Sequence, residues 1–214
     1  MSYQTEEEQI ERIKDVWQRH GAPVLTGVVL ALAGVFGWNA WNNHQENKAL
    51  NASAIYQSML ESVLQDDSEA NRARGAELAE QLRNDHAGTT YAAFAALMQA
   101  RLAVEAEDFA AAESLLREVV EQADDKALQE IARQRLARVL GQLDRAEEAL
   151  ELFSGSVSGE LLAGREEVRG DLLQSLGRTA DARQAYQAAL EATGDRRNRP
   201  QLQLKLDDLA EEAS

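Results

Sequence analysis

The feature that most constrains this chain is a pattern of residue size that recurs along its second half. Small residues stand at Ala112, Ala149 and Ala182, at intervals of 37 and 33 residues, and four positions after each comes a large one: Leu116, Phe153 and Tyr186. Four positions is about one helical turn, so each pair shares a helix face. The small member lets a neighbouring backbone approach, and the large member fills the space beside it. A second helix precedes each block. Leu136, Ala137 and Leu140 supply a large, a small and a large residue before the second block, and Gly170 and Leu173 supply the small and second large residues before the third. The first block is weaker there, with Gln99, Ala100 and Ala103. Gly177 marks the turn between the paired helices of the third block. One such hairpin cannot bury its apolar face alone, so several must stack.

The composition agrees. Only Pro23 and Pro200 interrupt a chain rich in strong helix formers. The block intervals bracket the roughly 34 residues of a tetratricopeptide repeat. The expected fold is all-α, a tetratricopeptide-like helical-repeat solenoid. Residues 49–64 and 72–84 read as an additional, degenerate helix pair, with Ala54, Ile55, Met59, Val63 and Leu64 as one apolar stripe and Leu78 and Leu82 as the other. Residues 194–199 read as a loop. A last helix begins at Pro200 and carries Leu202, Leu204, Leu206 and Leu209, which fits a cap over the open face of the last repeat.

The N-terminal region is different. Residues 1–20 carry Ile10, Ile13, Val16 and Trp17 at helical spacing, which predicts a short amphipathic helix, either partner-binding or resting on lipid headgroups. From Gly21 to Asn43 no Asp, Glu, Lys or Arg occurs. The apolar stretch 22–41 is about 30 Å long as a helix, enough to cross a bilayer. Trp38 and Trp41 stand at one end, as interfacial aromatics do, and Pro23 falls in the first turn of that span. A cleaved signal peptide is the competing reading, because Ala31-Leu32-Ala33 has the form of a cleavage site. That tripeptide lies inside the apolar run, away from a surface peptidase, and the leading segment is acidic. Gly27, Ala31, Gly34 and Gly37 make the span small-sided. They either permit close helix packing or reflect the ordinary abundance of small residues in membrane helices. Arg12, Lys14 and Arg19 precede the span and only Lys48 follows it closely, which predicts a single-pass type II protein. Residues 1–21 would be cytoplasmic and 42–214 translocated, into the periplasm of a bacterial cell.

No constellation for catalysis is visible. Cysteine is absent, and His20, His44 and His86 have no ligand-type partner one turn away. Ser154–Gly159 reads as a flexible loop; Val157 occupies the centre that a nucleophile elbow reserves for Ser. The formal net charge of -15 argues against nucleic acid as a partner. A binding surface remains, with neither cofactor nor small-molecule substrate expected. Repeat arrays bind segments of other proteins on a concave face lined by the first helix of each pair. By repeat position that face comprises Phe94, Leu97, Arg101, Gln134, Arg138, Glu167 and Asp171, with Phe94 and Leu97 equally readable as core.

The acidic-and-basic N-terminal segment, the span ending Gly37-Trp38-Asn39-Ala40-Trp41-Asn42, the repeats and the ending Leu202-Gln203-Leu204-Lys205-Leu206-Asp207-Asp208-Leu209 together resemble the YfgM family. Segments such as Arg135-Leu136-Ala137-Arg138-Val139 add to the likeness. Members of that family are ancillary subunits of the bacterial SecYEG translocon. The resemblance implies an inner-membrane protein facing the periplasm, associated with the translocon and with the membrane-anchored chaperone PpiD. It further implies a role in handing exported polypeptides to periplasmic chaperones. The alternative is a scaffold for another envelope complex, such as division or wall-synthesis machinery.

Overall fold

The computed structural model describes residues 3–65, 68–193 and 199–211, and for residues 3–9, 11–13, 15, 16, 18–24, 210 and 211 it describes the backbone only. The side chains of Ile13 and Val16 and most of the loop expected at 194–199 therefore lie outside the described residues. Among the described residues, all regular structure is helical: α1 (Tyr3–Gln65), α2 (Glu69–Asp85), α3 (Thr90–Glu105), α4 (Phe109–Gln122), α5 (Lys126–Gln142), α6 (Ala146–Glu151), α7 (Gly159–Ser175), α8 (Thr179–Ala192) and α9 (Pro200–Glu211). The chain divides into two compact units, Met1–Leu50 and Asn51–Ser214.

Helix α1 corrects the segmentation expected at the N-terminus. The amphipathic segment, the apolar run and the first helix of the degenerate pair form one continuous helix rather than three. Pro23 consequently lies in a helix interior, not a first turn, and lacks the N–H that would reach the carbonyl four residues back. Within the first unit, the large apolar side chains of the run face outward, from Val28 at 50% exposure to Phe36 at 69%. A Cβ added at Gly27, Gly34 or Gly37 would meet nothing within 4 Å. Trp38 and Trp41 lie one turn apart with ring centroids separated by 5.6 Å. Among the described residues, no helix is long and apolar enough to cross a membrane.

The second unit is built from hairpins whose starts and turns are locally encoded. Ser68, Thr89, Asp108 and Asp125 cap the starts of α2, α3, α4 and α5, each side chain accepting from a backbone N–H two or three residues on. The hairpins α3–α4, α5–α6 and α7–α8 close with the same turn. Residues Glu107, Asp144 and Gly177 adopt φ of 59°, 59° and 71°. The N–H of the following residue reaches back to a helix carbonyl: Asp108 to Ala103 at 2.8 Å, Arg145 to Leu140 at 2.9 Å and Arg178 to Leu173 at 2.8 Å. This is the left-handed helix stop known as a Schellman motif. Glycine takes that conformation without cost only in the third repeat.

Packing follows the size pattern. Ala112, Leu116, Leu136, Ala137, Leu140, Ala149, Leu173, Ala182 and Tyr186 are each at most 2% exposed. At Gly170 a Cβ would overlap the ring atoms Cδ1 and Cε1 of Tyr186, so the glycine of α7 makes room for the tyrosine of α8 in the same hairpin. Phe153 departs from the pattern. Helix α6 ends at Glu151, so Phe153 lies beyond the helix and is only half-buried against the core. At the N-terminal end, Ala52 and Met59 of α1 pack with Leu78, Ala79 and Leu82 of α2 and Ala95 of α3. Ala54 and Leu64 of the expected stripe are exposed instead. At the other end, α9 buries Leu202 and Leu209 against Tyr186, Ala189 and Leu190, while Leu204 is exposed.

Candidate functional site

The first helices of the three hairpins, α3, α5 and α7, each carry one residue directly after their small packing position: Arg101 after Ala100, Arg138 after Ala137 and Asp171 after Gly170. All three line one groove of about 840 Å³. Its floor is apolar, with Leu116, Val139, Val168 and Leu172 closing it from below. Arg135, one turn before Arg138 on α5, lines the same groove. Reduced hydration there pushes its guanidinium below the usual arginine range, and the nearby charges of Arg138 and Arg101 push in the same direction.

The charges in the groove are unequally satisfied. Arg101 pairs with Glu105 at 2.7 Å on its own helix. Asp171 accepts from the Tyr186 hydroxyl at 2.8 Å and from Lys205 of α9 at 2.6 Å. Burial, reinforced by this carboxylate, raises the Tyr186 phenol far above its ordinary value. Arg135 and Arg138 have no carboxylate within ion-pair distance among the described residues.

The rest of the face expected from repeat position is not free surface. Leu97 is buried at 7% exposure, a core residue. Phe94 is half-buried, its ring 5.8 Å from that of Tyr56 and 6.5 Å from that of Tyr91. Gln134 is buried and donates to Glu130 at 3.0 Å and to the Leu161 carbonyl at 2.8 Å. Glu167 accepts from Lys205 at 3.2 Å and from Arg199 at 3.5 Å, so the cap helix and its lead-in occupy it. These corrections share a cause. Helix periodicity gives the direction of a side chain, and the neighbouring hairpin decides what stands there.

Two features escaped the sequence reading. Arg135 was legible, since it lies three positions before Arg138 and so shares its helix face. The other is a buried ion pair. Arg165 and Glu130 are 5% and 1% exposed and meet through Nε to Oε1 at 2.9 Å and Nη2 to Oε2 at 2.5 Å. Arg165 also donates to the Gly155 carbonyl at 2.8 Å and stacks 5.7 Å from the Phe153 ring centroid. The pair therefore anchors the loop that replaces the missing turns after α6. Burial pushes the Glu130 carboxyl up, but hydrogen bonds from Arg165 and Gln134 and the Arg165 charge outweigh it, leaving the group below the usual carboxylate range. Charged residues are ordinarily solvated, so nothing in the sequence marks these two as buried.

Among the described residues, no group of three or more His, Asp or Glu side chains is placed to hold a metal ion. What the groove offers is a surface with an apolar base, two arginines side by side without an ion-pair partner among the described residues, and Glu107 as a separate lining carboxylate.

The family model for a tetratricopeptide repeat-like domain matches residues 14–211. The chain is 33% identical over 211 residues to a Haemophilus influenzae protein named ancillary SecYEG translocon subunit, covering 98% of this chain and 100% of that one. It is 34% identical over 195 residues to a protein of the same name from Aggregatibacter actinomycetemcomitans (91% and 93% covered). A third, from Escherichia coli, is 29% identical over 209 residues (97% and 98% covered). No solved structure matches the chain. With the size pattern, the stacked hairpins and full-length likeness in agreement, the chain belongs to the tetratricopeptide repeat-like family of ancillary SecYEG translocon subunits.

Proposed function

We propose that this chain is a membrane-anchored, non-catalytic protein-binding module. It would serve as an ancillary subunit of the Sec translocon, linking the passage of exported polypeptides to periplasmic chaperones, a PpiD-like membrane-anchored chaperone among them. The observation that carries the reading is the likeness along nearly the whole chain to proteins named as translocon subunits. The repeat groove supports protein binding as the mode of action.

Residues 22–41 would be the anchor. The apolar side chains of residues 25–41 face outward with no covering among the described residues of the first unit, and an exposed apolar face of that extent marks a membrane or protein contact. The length needed to cross a bilayer includes Ala22, Pro23 and Val24, whose side chains lie outside the described residues. With Arg12, Lys14 and Arg19 ahead of the anchor, residues 1–21 would lie in the cytoplasm and 42–214 in the periplasm.

Site-specific photocrosslinking in living cells tests this. Crosslinkers at Gly34 in the proposed anchor, and at Arg101 and Arg138 in the repeats, are expected to capture translocon subunits, the anchored chaperone or emerging exported chains. Adducts confined to division or wall-synthesis proteins would overturn the translocon assignment and favour an envelope scaffold.

A further inference from the structure

We infer that the groove between α3, α5 and α7 docks an acidic segment of a partner protein, its carboxylates on Arg135 and Arg138 and an apolar side chain against Val139 and Leu172. The inference rests on the protein-binding reading above and adds the chemistry of the bound segment.

Charge complementarity is the argument. A chain of formal charge -15 places two unpaired arginines side by side at one concavity, on a helix whose other face is core. No carboxylate among the described residues lies within ion-pair distance of either guanidinium, and the charges of Arg138 and Arg101 add to desolvation in lowering that of Arg135. Guanidinium is the side chain best suited to carboxylate, since its planar fork makes two parallel hydrogen bonds. The groove also excludes some anions. Glu105, Glu107 and Asp171 line it as well, so a continuous polyanion such as RNA meets like charge on either side of the two arginines. A peptide can place discrete carboxylates on the arginines and keep neutral or apolar groups near the acids. The apolar floor calls for such a mixed segment rather than a purely charged one.

The test uses the full chain in detergent micelles and a short fluorescent peptide of alternating Leu and Asp, with an Asn-for-Asp peptide as the neutral isostere. Fluorescence anisotropy is expected to show binding of the acidic peptide, weakened by salt, and little binding of the isostere. Arg135→Gln and Arg138→Gln are each expected to weaken binding roughly tenfold. Arg135→Lys and Arg138→Lys, which keep the charge, should retain most of it. Both arginines are exposed, so thermal melting of the variants should match the parent. Equal binding of the Asn peptide, or unchanged affinity in the double Gln variant, would overturn the inference. So would tighter binding of a single-stranded RNA oligonucleotide. Self-association that the double variant abolishes would instead assign the groove to a second copy of this chain. Translocon subunits are retrieved with the parent chain in parallel. Retrieval without peptide binding removes the docking inference alone, and peptide binding without retrieval removes the translocon reading alone.

Discussion

Tyr186 shows how much one contact governs here. It is fully buried, its ring occupies the space where Gly170 has no Cβ, and its hydroxyl is held by Asp171 and Gln174. Gly170→Ala should therefore lower the denaturation midpoint of the full chain by the equivalent of about 1–3 kcal/mol, the usual cost of overpacking a core. A urea titration followed by circular dichroism reads this directly, and an unchanged midpoint would show that the ring can shift. The opposite sign is expected at Glu107. That residue holds φ of 59° in the hairpin turn where the third repeat uses Gly177. Glu107→Gly should raise the midpoint by about 0.5–1 kcal/mol, because glycine adopts the left-handed conformation without the Cβ penalty. The size pattern was legible because a close approach leaves its mark on residue volume. The left-handed turn was marked only where glycine fills it.

At the scale of elements, the second hairpin is the irregular one. Helix α6 spans 6 residues where α4 and α8 span 14, and a buried ion pair takes over the role of the missing turns. Arg165→Met would leave the buried Glu130 carboxylate with only Gln134 at 3.0 Å and the longer Arg133 contact at 3.6 Å, and should cost about 3 kcal/mol, the low end for breaking a buried pair. Replacing both, Glu130→Leu with Arg165→Met, should recover most of that loss, since a well-packed apolar pair avoids the desolvation of two ions. Equal instability of the single and double variants in chemical denaturation would contradict this. The pair also sets a pH dependence. The folded-state pKa of Glu130 lies below its ordinary 4.5, so the unfolded chain binds the proton more readily. The stabilisation is complete above that value and is lost as pH falls below it through the folded pKa. Melting temperatures taken from pH 7 down to 3 should drop in that acid window, and Glu130→Gln should make the drop shallower, with Glu113 and Glu148, which Arg145 and Arg117 also hold below the usual carboxylate range, supplying the rest.

For the whole molecule, the orientation proposed for residues 1–21 and 42–214 can be read by chemistry, because the chain contains no cysteine and any introduced thiol reports alone. With Ser156→Cys, a membrane-impermeant maleimide should label the protein once it can reach the periplasm. Thr5→Cys should be labelled only after the inner membrane is opened. The reverse pattern would reject the orientation. The binding surface is also a property of the whole array: α9 claims Glu167 and Asp171 through Lys205, which leaves the middle repeat, with Arg135 and Arg138, as the open part of the groove.

Composition and periodicity determined by themselves that the chain is helical, that three hairpins repeat, and that α9 packs over the last of them. Each of these depends on neighbours one turn apart or on residue size at fixed intervals, and such information is local. The tertiary structure alone decided which helix faces stayed open. Leu97 and Gln134 point in the same helical direction as Arg101 and Arg138, yet Leu97 is buried in the core cluster and Gln134 is held by the Leu161 carbonyl of the next hairpin, while the arginines line a groove. Glu130 and Arg165, 35 residues apart, became a buried pair because the chain between them left α6 early and folded its carbonyls onto the guanidinium. Burial of a charge depends on what surrounds it in space, and no sequence interval encodes that.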